Sequence, residues 1–127
     1  MPHSWFIPGN VPSSKNSKRV VRLKTGRTLV IGSKLTMQYA KDTEWLYKRF
    51  GAQFRKACAV MEKPYKVTFK FHRMGKHKFD YINPLQTVQD LMVKYGWIDD
   101  DNADELMPVF DKYEYNKLAP GVTITIE

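Results

Sequence analysis

Cysteine is almost missing from this chain of 127 residues: Cys58 stands alone, so no intramolecular disulfide can form and a reducing compartment is expected. Flanked by Ala57 and Ala59 in a helical pattern, Cys58 reads as a small core residue rather than a nucleophile. Histidine is nearly as scarce, and His3, His72 and His77 are too scattered to argue for a zinc site. No apolar run approaches the roughly 20 residues needed to span a bilayer. The opening MPHSWFIPGN lacks the features of a secretion signal, so a cytoplasmic protein with no membrane partner is expected. No glycine-rich loop that would cradle phosphates is present.

Acidic residues are rare in one part of the chain and crowded in the other. Residues 1–78 hold 18 Lys/Arg against 3 Asp/Glu, a charge of +15, whereas residues 79–127 hold 3 against 10, a charge of −7. A basic part that attracts phosphate, joined to an acidic part able to hold a cation, suits an enzyme of nucleic acids. Two solvated faces of opposite sign would give the same totals. An apolar share of 43% and a length of 127 residues predict a single folded domain spanning 1–127.

Hydrophobic periodicity places the elements. Trp5-Phe6-Ile7, closed by Pro8-Gly9, predicts a first strand. A polar loop follows, in which Lys15, Lys18, Arg19 and the nearby Arg22 are candidate phosphate contacts. Lys18–Leu23 and Thr28–Ile31 flank Gly26, the pattern of a β-hairpin, and Ser33 or Thr36 is the expected cap of a helix over Leu35–Met61. Tyr39, Leu46, Phe50, Phe54, Ala57, Cys58 and Met61 form its core stripe, with Lys48, Arg49, Arg55 and Lys56 largely off it. Gly51 is expected to weaken or break this helix, and Pro64 to end it. Tyr65–Arg73 alternates with period two and predicts a strand; Leu106–Tyr115, with an edge-favouring Pro108, and Val122–Ile126 predict two more. An α+β domain with an antiparallel or mixed sheet and two main helices results.

Asp80, Asp90, Asp99, Asp100, Asp101 and Asp104 fall within 25 positions. Carboxylates this dense repel one another and become favourable around a hard divalent cation. Asn83-Pro84 reads as a helix start, with Asn83 as cap and Gln86 bonding back to it; Val88, Leu91, Met92 and Tyr95 form the buried stripe, and Gly96 the stop. Asn83, Gln86 and Asp90 then share one face, to which Asp99-Asp100-Asp101 could return.

This segment resembles the RusA family of Holliday-junction resolvases, endodeoxyribonucleases typically borne by phages and prophages. The family signature opens Asp-x-Asp-Asn, continues with a Lys three residues on and an Asp four beyond that, and ends with Gly and an Asp pair. Asp80, Asn83, Asp90, Gly96 and Asp100-Asp101 match it, with Asp99-Asp100 as the other register for the pair. Two positions depart: the second Asp is Ile82 and the Lys is Gln86. The resemblance implies a small α+β homodimer in a bacterial host's cytoplasm, cutting paired strands of branched, four-way DNA with Mg2+ (or Mn2+). It implies Asp80, Asp100 and Asp101 as metal ligands, Asp90 as ligand or support, and Asn83 and Gln86 as orienting groups. The DNA backbone is expected on Lys15, Lys18, Arg19 and Arg22, with Arg73, Lys76 and Lys78. With Ile82 and Gln86 in place, a non-catalytic branched-DNA-binding protein, or a nuclease for flap or duplex DNA, is the alternative.

Overall fold

Alternating apolar residues commit the segment after Pro64 to the centre of a sheet. A computed structural model describes residues 3–13, 18–22, 28–32 and 34–127, with 18–22 and 28–32 as backbone alone. The elements run β1 (His3–Pro8), β2 (Lys18–Arg22), β3 (Thr28–Gly32), α1 (Lys34–Cys58), β4 (Tyr65–Arg73), α2 (Ile82–Lys94), β5 (Leu106–Phe110), β6 (Glu114–Tyr115) and β7 (Gly121–Ile126). Val67, Phe69 and Phe71 of β4 are fully buried, as the period-two pattern requires.

The main sheet has five strands in the order β1-β7-β4-β5, and β6 pairs with β4 beyond the end of β5. β7 is antiparallel to both β1 and β4, whereas β5 and β6 lie parallel to β4. The sheet is therefore mixed. A parallel partner needs a crossover, and the segment carrying α2 and the acidic stretch supplies it between β4 and β5. Pro108 sits in β5, an outer strand of the order, where a missing donor is tolerated. β2 and β3 form a separate antiparallel pair, as their pattern predicts, with Lys18 opposite Gly32. Gly26, Ser33 and the loop residue Lys15 lie outside the described residues, as do the side chains of Lys18, Arg19 and Arg22. No helix among the described residues is long and apolar enough to cross a membrane.

Both helices pack on the core built from Val67, Phe69, Phe71, Val122, Ile124 and Ile126. α1 contributes Tyr39, Leu46, Tyr47, Phe54 and Cys58; α2 contributes Leu85, Val88, Leu91 and Met92. The Tyr39 and Tyr47 hydroxyls, both buried, share a hydrogen bond of 3.1 Å. Burial pushes the Cys58 thiol up to about 11, consistent with a packing role.

Four expectations fail locally. Leu106–Tyr115, expected as one strand, divides into β5 and β6, with residues 111–113 between them outside any strand. α1 ends at Cys58, well short of Pro64, in turns where the Met61 amide donates to the Cys58 carbonyl at 2.9 Å. Gly51 does not interrupt α1. It is buried there because a Cβ would sit 3.0 Å from the Tyr95 carbonyl oxygen and 3.2 Å from Trp97 Cδ1. Asn83 is not the cap of α2: the helix starts at Ile82 behind Tyr81, which is itself in helical conformation and makes no side-chain cap bond. The Asn83 amide instead donates to the Asp80 carbonyl at 3.0 Å.

The other end of α2 follows expectation. Gly96 has φ +78°, its amide donates to Val93 and that of Trp97 to Met92, a Schellman stop. Trp97 is thereby turned into the core against Phe54, with ring centroids 5.0 Å apart, and its indole donates to the Tyr47 carbonyl at 2.7 Å. Gly51→Ala should accordingly destabilise the protein by about 1–3 kcal/mol through overpacking. Ala52→Gly, on the exposed side of the same turn, should cost no more than about 1 kcal/mol; urea denaturation midpoints measure both.

Candidate functional site

The elements around the acidic stretch sort its carboxylates into different surroundings. Gln86 and Asp90 lie one turn apart on the exposed side of α2, and the Gln86 amide donates to Asp90 Oδ1 at 2.6 Å. The same Nε2 reaches Asp101 Oδ2 at 3.5 Å, the long limit of a hydrogen bond. The loop after α2 therefore does return to this face, and through Asp101. Laid end to end, the two contacts hold those carboxylate oxygens within about 6 Å of each other.

Asp99 faces elsewhere. Arg55 Nη2 of α1 donates to its Oδ1 at 2.8 Å, and Arg55 Nε also donates to the Gly96 carbonyl. Lys63 lies 3.7 Å from Asp99 Oδ2 and 2.7 Å from Glu105. The Arg55 hydrogen bond, then its charge and that of Lys63, hold the Asp99 carboxyl below the usual range. Asp100 is turned into its own loop, accepting from the Asp101 amide at 2.8 Å and from Asn102 Nδ2 at 3.1 Å. Those bonds, the backbone one foremost, lower its pKa as well.

Asp80 lines a cavity of about 600 Å3 together with Ser13, Arg73, Lys78, Phe79, Tyr81, Asn83 and Tyr113. Arg73 is fixed there, donating to the Val11 carbonyl at 2.6 Å with its guanidinium 4.6 Å from the centre of the Phe79 ring. Burial lowers its pKa, but a guanidinium remains charged at neutral pH. Phe79, Tyr81 and Tyr113 form an aromatic wall, with Phe79 and Tyr113 edge to face at 5.0 Å and the Tyr113 amide donating to the Tyr81 hydroxyl at 3.0 Å. The buried Ser13 hydroxyl has no partner. Thr87 of α2 donates to the Pro12 carbonyl at 3.0 Å, so the chain leading to Lys15 leaves from the rim of this cavity. Lys76 stands nearby on the sequence, its ammonium 4.9 Å from the Tyr115 ring centre. Asn83 joins the two regions, lining the cavity one turn before Gln86.

Among the described residues, no three His, Cys, Asp or Glu side chains form a group able to hold a metal ion. Asp80, Asp100 and Asp101 are thus not gathered into one ligand set, and what the fold brings together is Asp90 and Asp101. Comparison with protein-family models and with curated proteins returns no match. The site must be read from its own chemistry.

Sequence reasoning missed two arrangements. The aromatic wall was signalled by Phe79 and Tyr81 bracketing Asp80, and by Tyr113 two residues before Tyr115. The second joins three strands: His72 Nδ1 meets Glu114 Oε1 at 2.5 Å and Nε2 meets Thr123 Oγ1 at 2.8 Å, tying β6 and β7 to β4. Nothing in local spacing announces it.

Acid should loosen the Asp99 contact. A carboxyl whose folded-state pKa is depressed contributes stability above its unfolded value, near 4, and loses it as pH falls through the lower folded value. Urea midpoints should be level from pH 7 to about 5 and drop below that. The drop should be shallower in Asp99→Asn, which has no carboxyl to titrate, and 1 M salt should narrow the difference between the two proteins.

Proposed function

We propose that this chain is a structure-specific endodeoxyribonuclease of RusA type, acting on branched DNA such as a four-way junction. The observation that carries this reading is the meeting of Asp90 and Asp101 at Gln86, where helix and returning loop converge. Beside it, the cavity at Asp80 supplies two cations, Arg73 and Lys78, and an aromatic wall: groups that suit a phosphate and an adjoining base or sugar. The expected loop cations begin at Lys15, two residues beyond Ser13 on the cavity's rim.

Mg2+ commonly takes one or two carboxylates and fills its shell with water and substrate phosphate, and Asp90 with Asp101 fits that mode. When bound, such an ion supplies an activated water and offsets charge on the scissile phosphate. Gln86 orients both carboxylates through one amide. A lysine there would place a positive charge between them; a neutral amide leaves their negative charge uncompensated and so favours a cation. Asp80 and Asn83 face substrate from the cavity side, while Arg73, Lys76 and Lys78 hold the backbone. Two symmetric cuts call for two sites, hence a two-fold dimer. The cytoplasm of a bacterial host follows from the same resemblance.

A non-catalytic branched-DNA binder is the second reading, favoured by the lack of a three-residue acidic group among the described residues and by Ile82 and Gln86. One experiment separates the two. A labelled synthetic four-way junction and a linear duplex are incubated with the protein in Mg2+, Mn2+ or EDTA. The nuclease reading expects paired, metal-dependent nicks in the junction alone. It also expects loss of nicking by at least a hundredfold in Asp101→Asn, with junction binding retained. Asp99→Asn, whose carboxyl faces Arg55, should nick normally. Tight binding with no nicking in either metal refutes the enzyme and leaves the binder.

A further inference from the structure

The three tryptophans have different surroundings. Trp5 and Trp97 are core residues at 7% and 1% exposure, but Trp45 is 60% exposed on the outer side of α1. Among the described residues its indole has no hydrogen bond and no ring contact, and packing does not account for it. Its neighbours on the helix do. Lys34, Lys41, Trp45, Arg49 and Lys56 are separated by seven, four, four and seven residues, which places them on one exposed face of α1. Of the acids of the helix, Glu44 pairs with Lys48 at 3.0 Å, and Asp42, at the edge of this face, accepts from the neutral Gln38 amide at 2.7 Å and keeps its charge. Among the described residues, Lys34, Lys41, Arg49 and Lys56 form no ion pair. The result is a ridge of four cations against one anion, about 33 Å long by the rise of an α-helix, with an open aromatic face at its middle.

From this ridge we infer a second nucleic-acid contact, specific for unpaired DNA: one base stacks on Trp45 while the flanking phosphates run along Lys41 and Arg49. Charge complementarity chooses the polyanion. A second copy of the chain meeting this face across a two-fold axis would set cations against cations, which opposes self-association. The aromatic chooses single strands, because every unpaired base has a free π-face whereas bases in a duplex are already stacked. The contact extends the branched-DNA reading to the unpaired strand beside a branch, yet it needs no cleavage and none of the residues around Asp80 or Gln86.

Because the other two tryptophans are buried out of reach of a base, quenching of the intrinsic fluorescence by stacking reports on Trp45. The full chain is titrated with a 20-nucleotide oligo(dT) and with a blunt DNA hairpin of equal charge, in EDTA. Quenching that saturates with oligo(dT), and at least fivefold weaker binding of the hairpin, are expected. Binding read by anisotropy of labelled oligo(dT) should weaken about tenfold in Trp45→Ala and recover largely in Trp45→Phe. Lys41→Gln combined with Arg49→Gln should reduce the salt dependence of log K by about 1 to 1.5. Trp45→Ala changes an exposed side chain, and circular dichroism checks that it folds. Unchanged oligo(dT) affinity in Trp45→Ala, equal binding of hairpin and oligo(dT), or concentration-dependent shielding of Trp45 by self-association each overturns the proposal. Junction nicking intact in Trp45→Ala alongside lost oligo(dT) binding keeps both readings; nicking absent in every protein removes the enzyme but leaves this contact standing.

Discussion

The contact between Gly51 and Trp97 sets where the acidic loop after α2 leaves the core. Only a hydrogen at residue 51 lets α1 come within reach of the Tyr95 carbonyl and the Trp97 ring. The indole then donates into the carbonyl of Tyr47 one turn earlier in the same helix. This is a buried donor satisfied by a backbone acceptor, so its loss would cost more than the bond itself contributes. Because Trp97 follows the Schellman stop of α2, pinning the indole also fixes where the next residues emerge. Asp99 comes out beside Arg55, and Asp101 two residues on comes out beside Gln86. The acidic loop is aimed by an aromatic ring that carries no charge.

Once aimed, the carboxylates are divided by the cations and amides they meet. Arg55 and Lys63 reach Asp99 first, and an ion pair on the surface holds it away from the α2 face. Asp100 spends both oxygens on its own loop, and Asp101 is left for Gln86. The division leaves consecutive aspartates of identical chemistry in different surroundings: one paired with cations, one shaping its own loop and one facing a second carboxylate.

What the chain reveals in advance follows the range of the interactions. β4 occupies Tyr65–Arg73 as its alternation predicts, since period two is written in adjacent residues and only one register buries Val67, Phe69 and Phe71. The Gly96 stop is equally local, because its conformation is one that glycine adopts without strain. The convergence of Asn83, Gln86 and Asp90 on one face follows from helical spacing. Contacts distant in sequence are where local reading fails. Gly51 reads as a weak point until Trp97 is placed beside it, and Asn83 reads as a cap until the helix is seen to start two residues earlier, behind Tyr81, which stacks on Phe110 at 4.9 Å. Which aspartate of three turns toward α2 is decided by Arg55, 44 residues before Asp99.

The two departures from the RusA signature can be judged on the same physical grounds. Ile82 is 68% exposed at the start of α2, and Gln86 is exposed one turn later. Neither packs in the core, so neither is there because the fold demands it. An aspartate at 82 would be favoured by its place in the first helical turn, and a lysine at 86 would find two carboxylates waiting. Stability thus offers no reason for the apolar and neutral residues found. On the proposed reading of the site, an apolar side chain at 82, between Tyr81 and Asn83 of the Asp80 cavity, suits a sugar or base edge, and a neutral amide keeps two carboxylates free of an internal counter-ion. If the proposed nuclease reading holds, both features act on how a polyanion and its accompanying cations are received, and the fold is indifferent to either.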